Sequence, residues 1–162
     1  MRTSEQIAVR IAGPDDAEHV TRLLLLWRDW WGRDWPEAET WARGVERLLR
    51  EERTEFLLAT VGDQAPSAVA VLRYRHSLWQ DALDCWLEDM YVEERSRRMG
   101  VGERLLAAAL ERAQGLGCRR VELDVNETNE AARGLYEKLG FSSFSPELGG
   151  SNLLMRHYFE RR

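Results

Sequence analysis

The sequence predicts an α/β fold, a mixed central sheet of about six to seven strands flanked by about four helices. Three observations carry that prediction. Apolar runs of strand length recur along the chain, apolar stripes at helical spacing lie between them, and glycine- or proline-bearing turns mark most boundaries. The 162 residues are enough for one domain, spanning 1–162, with a sizeable buried core.

"IAVRIA" (7–12) reads as a short strand with Ile7, Val9 and Ile11 on one face. "GPDD" then starts a helix from Asp15 to Trp30, helped by acidic residues in its first turn. "GRDWPE" breaks it, and Pro36 suits the entry to a second helix reaching about Glu51. "FLLATVG" and "SAVAVLRYR" form two strands around the turn-prone "GDQAPS". "DCWLEDMYV" (84–92) is the next strand. Val101, Leu105, Leu106, Ala109, Leu110 and Ala113 then make a helical stripe, ended by "GLG". "RRVELDV" (119–125) is a strand, "TNEAARGLYEKLG" a short helix, and strands near Phe141–Phe144 and Leu153–Phe159 finish the chain. The unit from 84 to 125 is expected to be parallel with a right-handed crossover.

Composition narrows the function. With 44% hydrophobic and 31% charged residues the chain is globular. A net charge of −5 argues against general nucleic-acid binding, which needs many phosphate-neutralising cations. Leu23–Leu26 is far too short to cross a membrane, and "MRTSEQ" has no apolar signal core. Cys85 and Cys118, with no export signal, predict a reducing cytoplasm and no structural disulfide. His19, His76 and His157 lack metal-ligand spacing, so no metal is expected.

On this acidic chain, "EERSRRMGVGERLL" (93–106) concentrates arginine and glycine between a strand and a helix. The first N–H groups of a helix lack intrahelical partners and its dipole favours an anion. Gly100 and Gly102 clear the approach, and Arg97 and Arg98 add charge-assisted hydrogen bonds. The loop is neither a Walker A motif nor G-x-G-x-x-G, because Leu105 stands at the third glycine position. Taken alone, R-x-x-G-x-G fits a solvated arginine turn equally well.

In context, "WLEDMYVEERSRRMGVGERLLAAALERA" followed by "VELDVNETNEAARGLYEKLGF" resembles the GNAT superfamily of N-acetyltransferases. Asn129 and Tyr136, seven apart before "LGF", complete the pattern. The resemblance implies acetyl-CoA as co-substrate, held by a core over about 84–140, with acceptor-side helices over about 15–51. Backbone amides of Arg98, Met99, Gly100, Val101, Gly102 and Glu103 would hold the pyrophosphate. Met90, Tyr91 and Val92 would bind the pantetheine arm by main chain. Asn129, Ala132, Arg133 and Tyr136 would line the far side of the channel. It also implies that parallel strands 4 and 5 splay apart, with a bulge near Met90.

Acetyl transfer needs a neutral amine, a stabilised oxyanion and a protonated thiol. A main-chain N–H near Val92 suits the oxyanion. Tyr136 is the candidate acid, since a phenol of pKa about 10 can supply a thiolate of pKa about 8.5; it also sits on an apolar helix stripe, which fits a core residue. For the base, "WLEDMYV" is similar to the corresponding strand of diamine acetyltransferases, which points to Glu88. With a reference pKa of about 4.3, Glu88 needs burial or a water relay. Simple alternation puts Glu88 on the face of Val92, if no bulge intervenes, and Asp89 on the opposite face, orienting substrate. Glu122 and Asp124 rank below it, and Cys85 as a nucleophile is disfavoured.

Five of the seven tryptophans lie between Trp27 and Trp41. Trp27 and Trp31, four apart, are expected to face the core. Trp30 and Trp35, interleaved with Asp29, Asp34, Glu37 and Glu39, suit a cationic amine through cation–π and ion pairing. Packing tryptophans with solvated acids would look the same. The expected activity is acetylation of a small amine acceptor. Aminoglycoside or protein acetylation, and a non-catalytic acyl-CoA sensor, are the alternatives; a nucleotide-binding module lacks the P-loop lysine. Homodimers occur in families this one resembles, which leaves self-association open.

Overall fold

The computed structural model describes residues 6–160, so most of the "MRTSEQ" stretch read above lies outside the described residues. Strand β1 (Ile7–Ile11) leads through a 3-10 turn at Pro14–Asp16 into α1 (Ala17–Trp30). Proline's fixed φ suits that helical entry. After α2 (Ala38–Leu48) come β2 (Thr54–Val61), β3 (Ala68–Ser77) and β4 (Ala82–Val92), each antiparallel to the strand before it, β2 pairing with β1. Helix α3 (Val101–Gly115) then crosses to β5 (Arg120–Glu122), which pairs parallel with β4. The sheet has five strands in the order β1-β2-β3-β4-β5. These elements form one compact unit ending at Leu123; a second begins at Asp124 and holds α4 (Glu130–Lys138).

Val20, Leu23 and Leu24 recur at helical spacing on α1 and are buried with Phe56, Leu58, Val69 and Val71 of the sheet, together with Val45 of α2 and Tyr91 of β4. Burial of each such aliphatic side chain contributes about 1.5–3 kcal/mol. Of the expected stripe, Val101, Leu105, Leu106, Ala109 and Ala113 are buried where α3 packs on β1–β4, and Leu110 is partly buried. A polar tie adds to it: Arg112 of α3 grips Glu55 of β2 at 2.6 and 2.9 Å, and the Tyr74 hydroxyl donates to the same carboxylate at 2.8 Å. The guanidinium holds the Glu55 carboxyl below its usual range, and burial drives the Tyr74 phenol well above its own.

Two expectations need correction. The strand expected over 119–125 is confined to Arg120–Glu122. The two last strands do not form, so the sheet has five strands rather than six to seven; Phe144 and Ser151 share one isolated bridge. Gly149 and Gly150, at φ of 71° and 76°, reverse the chain there. Beyond them Leu153–Phe159 joins no ladder among the described residues. Apolar content favours a strand only where a partner edge exists, and a single segment carries no information about that.

Candidate active site

The centre of the site is an irregularity in β4. Against β3, Leu72 pairs with Leu87 but Val71 pairs with Asp89, so Glu88 is the extra residue of a β-bulge. The bulge expected near Met90 thus lies two positions earlier. Its consequence is geometric. Simple alternation sends Glu88 and Asp89 to opposite faces; here both line one cleft. Past the bulge, Asp89 and Tyr91 stand opposite Val71 and Val69, on the face covered by α1 and α2, while Met90 and Val92 stand opposite Ala70 and Ala68.

On the other edge of β4, parallel pairing with β5 runs only from Asp84↔Arg120 to Trp86↔Glu122. Strand β4 continues for six residues beyond Trp86, to Val92, and β5 supplies no partner for them. The resemblance implies a splay of these two strands, and the ladder between them ends at Trp86. This leaves the Met90–Val92 main chain with a ladder on the β3 side alone.

From Val92 the chain passes through a 3-10 turn, Glu94–Ser96, to Gly100 and α3. The turn is tightly tied. Arg22 of α1 binds Glu93 at 2.5 Å and the Pro66 carbonyl at 2.6 Å, and the Glu93 N–H donates to the Ser67 carbonyl at 2.8 Å. Arg95 pairs with Glu93 and Gln64. Arg97 donates from Nε to the Val92 carbonyl at 2.9 Å and lies 5.7 Å from the Tyr91 ring centroid. Part of the arginine cluster therefore holds the loop's own shape.

Arg98 and Gly100 have positive φ, 59° and 84°. Gly100 caps α3 without a side-chain hydrogen bond, and the first i→i−4 bond is Arg104 N–H to the Gly100 carbonyl at 3.0 Å. The N–H groups that open a helix precede its first i→i−4 bond and face outward along its axis, and the helix dipole adds positive potential there. This donor set fits a pyrophosphate.

The cleft beside Glu88 and Asp89 measures about 330 Å³ and is walled by α1, α2, β2 and β3. Asp89 accepts from Trp27 Nε1 at 3.1 Å. Arg73 lies between two carboxylates, 3.4 Å from Glu88 and 3.7 Å from Glu51. Partial desolvation shifts the carboxyl of Glu88, whose side chain is 42% exposed, upward from its ordinary value; Arg73 partly offsets this and Asp89 reinforces it.

The cleft's tryptophan is Trp41, with Pro36 and Thr40 beside it; Trp30, Asp34 and Trp35 are not among its lining residues. Trp30 stacks on Trp27 at 5.4 Å and, like Trp31 and Trp35, is about half exposed. For Trp31 that departs from the core position its spacing predicts. Sequence reasoning passed over Arg73 and Leu48, and it counted Trp41 in the tryptophan-rich stretch without giving it a role. No local motif marks them, because each becomes relevant only through the sheet register or the packing of α2.

In the second unit, Asn129 is the N-cap of α4, its Oδ1 accepting from the Ala132 N–H at 3.2 Å. Arg133 reaches the Glu127 carbonyl at 3.3 Å, and the half-buried Tyr136 ring lies 5.8 Å from Phe141. Asp124 pairs with Arg156 at 2.6 Å.

Comparison with known proteins gives a consistent result. The model of the acetyltransferase (GNAT) family matches residues 20–141. Thialysine N-epsilon-acetyltransferase of Bos taurus is 32% identical over 88 residues, 53% of this chain and 51% of that protein, so the alignment spans about half the length of that relative. Aminoglycoside N(6')-acetyltransferase type 1 of Klebsiella aerogenes is 31% identical over 118 residues, 65% of this chain and 78% of that one. The crystal structure of an aminoglycoside N-acetyltransferase in complex with CoA shares the fold, with a TM-score of 0.77 over 98% of each chain at 18% identity.

Proposed function

This chain belongs to the acetyltransferase (GNAT) family, and on that premise we propose that it transfers the acetyl group of acetyl-CoA directly to a primary amine of a small acceptor. The observation that most supports this reading is the parting of β4 from β5 past Trp86, beside the open first turn of α3. Met90–Val92 take the pantetheine arm as an added strand would be taken, and the amides of Val101, Gly102 and Glu103 hold the pyrophosphate. Acetyl-CoA supplies the activated thioester.

The acceptor ammonium sits against Glu88 and Asp89. Glu88 takes its proton, directly or through one water, and its raised pKa makes it a better base than an unshifted carboxylate. The neutral amine attacks the carbonyl, and a main-chain N–H at the end of β4 donates to the oxyanion. The C–S bond then breaks, Tyr136 protonates the departing thiolate, the role the resemblance implies for it, and the proton that the nitrogen sheds as the amide forms restores the phenol through solvent.

The test is thiol release from acetyl-CoA across a panel of amines, with Glu88→Gln and Tyr136→Phe beside the wild type. Acceptor-dependent release that drops sharply in both variants is the expected result. CoA binding with no release above hydrolysis for any acceptor would instead indicate a non-catalytic acyl-CoA sensor.

A further inference from the structure

Resting on the reading of Glu88 as the base, we propose that the acceptor is a monoamine with an apolar body, alkyl or aryl, rather than a polyamine or a polyhydroxylated aminosugar. The cleft is sharply divided in its chemistry. Its carboxylates, Glu88 and Asp89, are brought side by side by the bulge. Away from them Leu24, Val45, Phe56 and Val71, each buried, form the apolar floor, and Leu48 and Trp41 extend it.

The cleft has one anionic locus, which suits one ammonium. Next to it the cleft carries its own cation, Arg73, held between Glu88 and Glu51. A second ammonium on the same acceptor meets either that guanidinium or the apolar floor. In the first case it is repelled; in the second it loses its hydration without a partner.

A hydroxyl-rich body fares little better. Beyond the charged groups, the polar side chains lining the cleft are Thr40 and Trp41, one hydroxyl and one indole N–H, too few to replace the hydration of several hydroxyls. An apolar body gains about threefold to fourfold in affinity per buried methylene. The cleft's volume of about 330 Å³ lies at the small end of ligand pockets, which fits a compact chain or a single ring.

The experiment measures kcat/KM at saturating acetyl-CoA for n-alkylamines and phenylalkylamines of increasing length. Length-matched α,ω-diamines, spermidine and kanamycin run in parallel, and calorimetry records binding of each to the CoA complex. The expected result is a rise of about threefold per methylene among monoamines. Each diamine should fall at least about tenfold below its matched monoamine, and Arg73→Gln should narrow that gap. A diamine, spermidine or kanamycin that equals or exceeds the monoamines in either measurement overturns the proposal. If nothing turns over, the transfer reading fails, and the calorimetric ranking still decides the ligand class. A flat ranking there also overturns the proposal.

Discussion

Trp27 on α1 and Asp89 on β4 are joined by a hydrogen bond from the indole Nε1 to Oδ1 at 3.1 Å. The same ring packs against Trp30 and Tyr91, with centroids at 5.4 and 5.8 Å. One side chain therefore locks the first helix onto the bulge and orients the carboxylate next to Glu88. Trp27→Phe keeps the ring contacts and removes the donor. The expected cost is about 1 kcal/mol of stability by denaturant titration and a several-fold rise in KM for the amine. CoA affinity should be unchanged. An unchanged amine KM would limit the indole to packing.

Glu88→Gln should lower kcat by about 10²- to 10⁴-fold while CoA still binds. The wild-type pH profile follows from the sign of the shift. The base must be ionised, and burial raises its pKa, so the acid limb of kcat/KM lies above the usual carboxylate range. Arg73 favours the ionised form; Arg73→Gln should move the limb to higher pH. A limb that stays in place in this variant would separate Arg73 from the base.

Gly100 occupies φ of 84°, and a Cβ built there meets only Ile7 Cδ1 at 3.9 Å. The cost of a side chain is therefore conformational rather than steric, about 1–2 kcal/mol. Gly100→Ala should weaken CoA binding about tenfold in a titration as the first turn of α3 shifts. Gly115→Ala, where a Cβ meets nothing within 4 Å and φ is not positive, is the control and should leave binding intact.

Asp16 accepts from both terminal nitrogens of Arg10, at 2.7 and 2.6 Å, and from the Gly13 N–H at 2.9 Å. The Arg10 hydrogen bonds hold its carboxyl down at about 2. A depressed carboxyl stabilises the fold above its unfolded pKa, and that contribution is lost as pH falls toward about 2. Asp16→Asn should therefore cost about 1 kcal/mol near neutral pH. The difference from wild type in thermal melts should shrink steadily from about pH 4 downward. A constant difference across that range would contradict the assignment.

Much of the fold was legible because local patterns match local causes. Ile7, Val9 and Ile11 alternate, Val101 to Ala113 repeats at helical spacing, and each segment folds as its pattern indicates. The loop was legible for a similar reason: a strand ending at Val92, two glycines and a helix start place backbone donors without help from distant residues. The last strands were misjudged because Leu153–Phe159 has suitable residues but no ladder.

The chain's sequence by itself determined the family, the loop that opens α3, and Glu88 as the carboxylate to watch. Only the tertiary structure decided that Glu88 and Asp89 share a cleft, because a bulge exists only in the register between β3 and β4. The same holds for Arg73, Trp41 and Leu48, which come from β3 and α2. Motifs record contacts made by neighbours along the chain. The cleft beside Glu88 and Asp89 is made by residues that are neighbours only after the apolar faces of α1, α2 and the sheet have been buried together.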